Sequence, residues 1–158
     1  MNHKYVVIDL DDTMCDTHHR SNNFDFDGAS DVEWIKYHKD CDKDVPTEFA
    51  HTLHQHFKYG SLVPEDVIVM SGRSDVARTE TIEWLERHLG FVPHLILMRP
   101  ADCRIKNEIL KILWAESIGI ESIGTVYDDN EAVIAAFEEK GVSCVLITDS
   151  TYNCNQEK

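Results

Sequence analysis

Five short apolar runs constrain the fold of this chain more than any other feature of its sequence. Each run is rich in Val, Ile or Leu and is far shorter than a bilayer-spanning helix. The runs are Tyr5–Asp9, Val67–Met70, Leu95–Met98, Ile123–Tyr127 and Cys144–Ile147. Because their apolar residues are consecutive rather than alternating, we expect strands buried on both faces, which is typical of a parallel sheet covered by helices.

Helical patterns separate these predicted strands. Apolar residues recur near helical spacing in Thr47–Lys58, Asp75–Leu89, Arg104–Ser117 and Asn130–Lys140. The alternation of strands and helices predicts an α/β, doubly wound fold. A length of 158 residues suits one domain, so we expect residues 1–158 to form a single domain.

The charge and composition of the chain limit its partners. It carries 15 Lys and Arg against 29 Asp and Glu, a formal net charge of −14, which argues against coating nucleic acid through many phosphate contacts. A small local basic pocket is compatible with this charge. The sequence has no long apolar run and no N-terminal signal region, so we expect no membrane partner. The 5 cysteines include no C-x-x-C pair, so we expect a reducing, cytoplasmic location.

One segment, at about residues 24–45, interrupts the alternation of strands and helices. It lies in a connection between the first strand and the helix near Thr47 that is far longer than usual. Trp34, Ile35 and Tyr37 indicate at least one helical turn that packs on another part of the chain. Long insertions in α/β units are often lids or binding loops, so we expect a small cap after the first strand, with disorder as the alternative.

Polar residues follow four of the predicted strands, at the edge where open α/β sheets bind ligands. In chain order they are Asp9, Asp11, Asp12 and Thr13, then Ser71, Gly72 and Arg73, then Asp102, Arg104 and Lys106, and finally Asp128, Asp129 and Asn130. With this topology the four groups share one crevice. Its carboxylates would repel one another at close range, and an oxygen-liganded Mg²⁺ is the simplest remedy.

The same groups supply what phosphoryl transfer needs. A phosphate can bind beside a metal ion, Lys106 and Arg73, while one carboxylate attacks phosphorus and a second carboxyl protonates the leaving oxygen and then activates water. Taken singly, each group has a simpler explanation. The acids before Asn130 can cap a helix, and Asp102 and Lys106 can form a surface ion pair. The four groups in this order favour a phosphatase.

The four groups resemble the four motifs of the haloacid dehalogenase (HAD) superfamily. Asp9-Leu10-Asp11-Asp12-Thr13 looks like its D-x-D-x-T motif, and Ser71, Lys106 and Asp128-Asp129 look like the second, third and fourth motifs. The resemblance implies a Rossmann-like three-layer sandwich with a central parallel sheet, Mg²⁺ as cofactor, and a phosphoaspartate on Asp9. It further implies Asp11 as general acid and base, Asp9, Asp11 and Asp128 at the metal with Asp129 close by, and Thr13, Ser71 and Lys106 at the phosphate. Which of Asp128 and Asp129 binds the metal directly stays open.

The chain is also similar to the 3′-phosphatase domain of bacteriophage-type polynucleotide kinase. The matching residues are Arg20, Ser71-Gly72-Arg73, and Asp102 before Lys106. This resemblance implies that Arg20, Arg73 and Asp102 join the active site, where Gly72 and Asp129 also lie. It implies a 3′-phosphate of a nucleotide or nucleic-acid end as substrate. That family usually has Gly where Asp12 stands and Arg where Asn130 stands.

Other functions stay open from the sequence. A 5′-nucleotidase-type phosphatase of free nucleoside monophosphates would use the same chemistry, and the net charge favours it. A receiver domain that only accepts a phosphoryl group is a remote alternative, because no Asp ends a middle strand. No G-x-x-x-x-G-K-[ST] loop occurs, so we expect no kinase domain in this chain. Phe24, Trp34 and Tyr37 could stack on a base or form the core of the lid. The sequence gives no indication of the oligomeric state.

Overall fold

The computed structural model describes residues 3–148 and is built around a parallel β-sheet. Its strands are β1 (Tyr5–Ile8), β2 (Cys15–Asp16), β3 (Val45–Pro46), β4 (Val67–Ser74), β5 (Leu95–Arg99), β6 (Ile123–Asp128) and β7 (Ser143–Leu146). Five of them form a sheet in the order β5-β4-β1-β6-β7, and every neighbouring pair in it is parallel. The predicted α/β fold with a central parallel sheet is confirmed.

Helices cover both faces of this sheet. They are α1 (His18–Ser21), α2 (Asp31–Lys39), α3 (Glu48–Lys58), α4 (Arg78–Leu89), α5 (Asn107–Ile118) and α6 (Glu131–Glu139). Side chains alternate across a strand, so Ile8 packs with Leu53 of α3 and Trp84 of α4, while Val7 packs on the other face with Phe137 of α6. The result is a three-layer sandwich whose two cores are separated by the sheet.

Two element boundaries differ from the sequence prediction and matter for the site. β4 continues to Ser74, so the Ser71-Gly72-Arg73 motif lies in the strand rather than after it. α5 begins at Asn107 instead of Arg104. The Arg99 guanidinium donates hydrogen bonds to the carbonyl oxygens of Cys103 and Ile105, which hold the intervening segment as a loop.

The long insertion lies between β2 and β3, which pair with each other as antiparallel strands. It contains α1, α2 and a 3₁₀ turn at residues 40–43. Ser30 and Glu33 form a reciprocal capping box that starts α2. The Thr47 hydroxyl donates to the carbonyl oxygen of Thr13 at 2.7 Å, which anchors the end of the insertion beside the first motif.

The described helices are short. The two longest, α4 and α5, have 12 residues each, and none within residues 3–148 is long and apolar enough to cross a bilayer. The cysteines in this part of the chain are free thiols, namely Cys15, Cys41, Cys103 and Cys144. Cys154 lies outside the described residues.

Candidate active site

A tight turn after β1 positions the first motif. The carbonyl oxygen of Leu10 accepts hydrogen bonds from the backbone N–H groups of Thr13, Met14 and Cys15 at 3.1, 2.9 and 3.0 Å. Asp12 has a φ of 62°, a left-handed conformation that Asp adopts at lower cost than most residues. This turn holds Asp9 and Asp11 at the carboxyl end of the sheet.

Three carboxylates meet at this edge and are called here the carboxylate cluster: Asp9, Asp128 and Asp129. One oxygen from each lies within 4.8 Å of the others. They converge because β1 and β6 are neighbours, and the backbone N–H of Asp9 donates to the carbonyl oxygen of Tyr127 at 3.0 Å. The Thr13 hydroxyl lies 3.1 Å from Asp9 Oδ2 and 3.3 Å from Asp129 Oδ1, so it can donate to either.

Lys111 is the lysine that the structure brings to the cluster, in place of the predicted Lys106. Lys111 is 3% exposed, and its Nζ donates to Asp9 Oδ1 at 2.9 Å and to Asp128 Oδ2 at 2.6 Å. Lys106 is exposed at the N-cap of α5. Because α5 starts only at Asn107, its sheet-facing residues are Leu110, Lys111 and Ala115. The signal in the sequence that could have identified Lys111 is its position on the otherwise apolar face of α5.

Asp102 is likewise not brought to the site. It is exposed in the loop before α5, which the Arg99 side chain holds in place. Asn107 instead contacts the second motif, because an added Cβ on Gly72 would lie only 2.3 Å from Asn107 Oδ1. A side chain at position 72 would therefore require the Asn107 side chain to shift.

The carboxylate cluster carries more negative charge than Lys111 neutralises. Burial, together with the nearby Asp9, raises the pKa of Asp128 to about 6 and that of Asp129 to about 8. One ammonium group serves three acids and pairs with two of them, Asp9 and Asp128, and carboxylate oxygens are the ligands that Mg²⁺ prefers. These residues fit a divalent cation that neutralises the remaining charge.

A second group of four charged residues, the arginine network, lies beside the cluster: Asp11, Arg20, Asp44 and Arg73. Arg20 donates to Asp44 Oδ1 and Oδ2 at 2.8 and 2.9 Å and to Asp11 Oδ1 at 2.7 Å. Arg73 donates to the same oxygen of Asp11 and, at 3.5 Å, to Asp44. Burial alone raises the pKa of Asp11, but Arg73 and Arg20 outweigh burial and lower it to about 2.

Asp44 is the member of this network that the sequence did not reveal. It is 2% exposed, and its backbone carbonyl oxygen accepts a hydrogen bond from the Trp84 indole at 2.8 Å. His19 Nε2 also lies 2.6 Å from Asp44 Oδ1. In the sequence, Asp44 is one of many acids in the insertion, and its partner Arg73 is 29 residues away.

The carboxylate cluster, together with Asp11 and Arg73 of the arginine network, lines one cavity of about 290 Å³. Its floor includes Asp9, Asp11 and Lys111, and its wall includes Ser71, whose hydroxyl accepts from the backbone N–H of Arg73 at 3.0 Å. An adjoining cavity of about 570 Å³ shares Asp12 and Asp129 with it. The smaller cavity is at the lower end of the size range of ligand pockets.

Comparison with known protein families identifies the family of this chain. The family model of the polynucleotide kinase PNKP phosphatase domain, a HAD family, matches residues 3–152. The chain belongs to this family. It is therefore a HAD-type phosphatase domain, as the motifs predicted.

A viral relative supports this assignment. The putative bifunctional polynucleotide kinase/RNA ligase of Autographa californica nuclear polyhedrosis virus is 28% identical over 82 residues, which are 51% of this chain and 12% of the viral protein. The phosphatase domain thus spans a small part of that relative's length.

Solved structures share the fold. A chain in the structure of the Pnkp1/Rnl/Hen1 RNA repair complex has a TM-score of 0.67 at 24% identity, over 92% of this chain and 42% of that one. The class C acid phosphatase of Bacillus anthracis has a TM-score of 0.61 at 15% identity, over 96% of this chain and 68% of that one. A predicted phosphatase from Clostridium acetobutylicum has a TM-score of 0.57 at 14% identity and covers both chains fully.

In this HAD-type domain the structure gathers most of the predicted site residues around the cavity. Those brought together are Asp9, Asp11, Thr13, Arg20, Ser71, Gly72, Arg73, Asp128 and Asp129. Lys106 and Asp102 are left outside, and Lys111 and Asp44 are added. Asn130, where the family usually has Arg, caps α6 by accepting from the backbone N–H of Ala132 at 2.9 Å.

Proposed function

We propose that this domain is an Mg²⁺-dependent phosphomonoesterase that removes a 3′-phosphate from a nucleotide or nucleic-acid end through an aspartyl-phosphate on Asp9. The observation that carries this proposal is the position of Asp9. Its two oxygens accept hydrogen bonds from Lys111 and Thr13, and two further carboxylates lie beside it. Asp11 lines the same cavity.

Asp9 and Asp128, with Asp129 close by, would hold the metal, and the family resemblance adds the carbonyl of Asp11. Bound there, Mg²⁺ would neutralise the charge of the phosphate and polarise its oxygens. Lys111 orients Asp9, because its Nζ donates a hydrogen bond to Oδ1 of that residue. Ser71 and Thr13 offer hydroxyl groups to the phosphate.

The reaction would proceed in two displacements. An oxygen of Asp9 attacks phosphorus, the bond from phosphorus to the leaving oxygen breaks, and that oxygen takes a proton from Asp11. Asp11 then takes a proton from water, whose oxygen attacks phosphorus and releases Asp9 and inorganic phosphate. The same carboxyl group thus acts first as acid and then as base.

The arginine network sets the starting protonation of Asp11. With a pKa lowered to about 2, its carboxylate is ionised at neutral pH in the ligand-free chain and suits the base step. A phosphate that draws on the donors of Arg73 weakens their hold on Asp11 and raises its pKa. Substrate arrival would therefore shift Asp11 towards the acid form that the first step needs, with the proton taken from solvent.

Two findings support a nucleic-acid 3′-phosphate as substrate: the family match and a relative whose name includes polynucleotide kinase and RNA ligase. The size of the cavity, about 290 Å³, suits a single terminal nucleotide, which also keeps hydrolysis of free nucleoside monophosphates as a second candidate. Residues 24–45 would act as the lid. A cytoplasmic location is also proposed, on the cysteine pattern of the sequence.

The test is phosphate release from a 3′-phosphorylated oligonucleotide beside 3′- and 5′-mononucleotides, with Mg²⁺ and with EDTA. We expect turnover of the 3′-phosphates, loss of turnover in EDTA, and recovery with Mg²⁺. Turnover of 5′-mononucleotides alone would establish the second candidate instead. Metal-independent turnover would contradict the mechanism.

A further inference from the structure

The cavity has a wall that phosphate chemistry does not use. Its lining includes Phe26, Trp34, Tyr37 and His38, all from the insertion. Within α2, positions 34, 37 and 38 lie on one helix face, because residues three and four apart are neighbours there. This aromatic wall opens into the same space as Asp9.

The rings of this wall are not equally available to a ligand. The Tyr37 ring already makes one stacking contact and one cation–π contact. Phe24 stacks on it at 4.4 Å between ring centroids, and the Arg20 guanidinium lies 4.7 Å from its centroid. Phe26 meets its aromatic neighbours edge-on and is 50% exposed. Among the described residues, Trp34 stacks on His38 alone and makes T-shaped contacts with its other ring neighbours. Phe26 and Trp34 therefore retain ring surface for a ligand.

The insertion does not consume these rings as a closed core of its own. α2 has no fully buried residue, although it carries Trp34 and Tyr37. Its opposite side does not pack either, because Val32 is 76% exposed. A helix whose only role is structural would bury its largest rings.

His38 supplies a second, independent sign of a ligand. Its Nδ1 is buried and has no hydrogen-bond partner among the described residues, although the residue lines the cavity. Buried polar nitrogens in native proteins are nearly always paired. Burial lowers the pKa of His38 to about 4, so its ring is neutral near pH 7 and can donate or accept one hydrogen bond.

The charges around the cavity exclude recognition through a run of phosphates. Among residues 3–148, its cationic lining residues are Arg73 and Lys111, and both are buried and paired with carboxylates. The remaining wall is acidic, neutral or aromatic. A ligand that extends beyond one phosphate must therefore bind by stacking and hydrogen bonding.

We propose that Phe26, Trp34 and His38 form a base-binding subsite, in which the nucleobase next to the scissile phosphate stacks on the two rings and hydrogen-bonds to the imidazole. This proposal rests on the proposed function. It adds that the lid recognises the nucleobase of the substrate. Its occupant is a flat heteroaromatic base, because only such a group offers both a π-face and hydrogen-bonding edges.

The test compares binding of two ligands to the full chain carrying Asp9→Asn, which retains bound phosphate esters. Adenosine 3′-phosphate carries a base, and methyl riboside 3-phosphate carries a methoxy group in its place. We expect the adenosine compound to bind about 5- to 150-fold more tightly, the span of base–aromatic stacking. Phe26→Ala and Trp34→Ala should each reduce this ratio, and His38→Leu should reduce it further. Tyr59→Ala, an exposed aromatic residue outside the cavity lining, is the matched control and should leave the ratio as it is.

Fluorescence gives a readout that does not depend on truncation of the lid. The base should quench Trp34 emission, and Trp34→Phe should remove the quenching while the ratio of affinities survives. Trp84 is fully buried and should not respond. Equal binding of the two ligands, or a ratio unchanged in Phe26→Ala and Trp34→Ala, would overturn the subsite but not the phosphatase. Binding of neither ligand, with no turnover of 3′-phosphates by the unaltered chain, would overturn the proposed function as well.

Discussion

The carboxylate cluster and the arginine network lie side by side at one cavity, which the network enters through Asp11 and Arg73, but they differ in charge balance. The cluster sets three acids against Lys111 alone, and burial raises the pKa of its Asp129 to about 8. The network sets Asp11 and Asp44 against two arginines, and the pKa of its Asp11 is lowered to about 2. A balanced buried network holds its members in place, whereas an unbalanced one needs a ligand to complete it.

This difference suggests a division of labour in the proposed reaction. The cluster would do the covalent and metal chemistry, because its excess charge attracts a cation beside Asp9. The network would fix Asp11, whose proton transfers require a defined position and a defined charge. The predictions below test each half of this comparison against the other.

Asp9→Asn should have the largest effect, since an amide cannot attack phosphorus. We expect turnover to fall on the order of a thousandfold or more, measured as phosphate release from a 3′-phosphorylated oligonucleotide. The substituted side chain can still accept from Lys111, so thermal unfolding should show a folded protein. A folded variant with retained activity would refute Asp9 as the nucleophile.

Lys111→Met tests the cation of the cluster, with Lys106→Met as the matched control. Without Lys111, Asp9 and Asp128 are left buried beside each other. We expect turnover to fall on the order of a hundredfold, and the free energy of unfolding in metal-free buffer to fall by about 3–5 kcal/mol.

Lys106→Met removes an exposed charge at the N-cap of α5 and should change the free energy of unfolding by less than about 0.5 kcal/mol. Denaturant titration and phosphate release measure both variants. If Lys106→Met were the inactive one, the structural position of the catalytic lysine would be contradicted.

Asp44→Asn tests the network, and Asp40→Asn is the surface control. Asp44 orients both arginines without lining the cavity, so it is a positioning residue. We expect about a tenfold fall in kcat with a smaller change in KM, because Asp11 loses its fixed position. Asp40 pairs with Lys36 on the surface, where ion pairs contribute little, and its loss should be nearly silent.

A purely structural role for Asp44 would lower the free energy of unfolding without moving kcat. The pH profile of kcat/KM separates the two roles. If Asp44 positions the arginines around Asp11, the limb that reports Asp11 should shift in Asp44→Asn and stay in place in Asp40→Asn.

The sheet and most of the candidate site could be predicted from the sequence, because those features depend on local patterns. Consecutive apolar residues predicted the strands, and the residues after them predicted the clusters. Lys111 and Asp44 could not be predicted as site residues, because tertiary contacts determine their roles. The Arg99 side chain bonds to the loop before α5, and on the helix that then begins at Asn107 it is Lys111 that faces the sheet. Asp44 gains its role from Arg20, 24 residues away in the chain.

The smallest effect we predict is a pH-dependent stabilisation by Mg²⁺. It tests for the excess charge of the cluster without a measurement of activity. The folded-state pKa values of Asp128 and Asp129 are raised, to about 6 and about 8, so the folded chain binds more protons than the unfolded chain above pH 4. The stability of the metal-free protein should therefore fall as the pH rises through this window. Because Mg²⁺ competes with those protons, the rise in Tm that it causes should be larger at pH 8 than at pH 5.

The arginine network has no excess charge to relieve, so Asp128→Asn should weaken the pH dependence of this rise and Asp44→Asn should preserve it. A rise of equal size at both pH values would show that Mg²⁺ does not bind at the cluster.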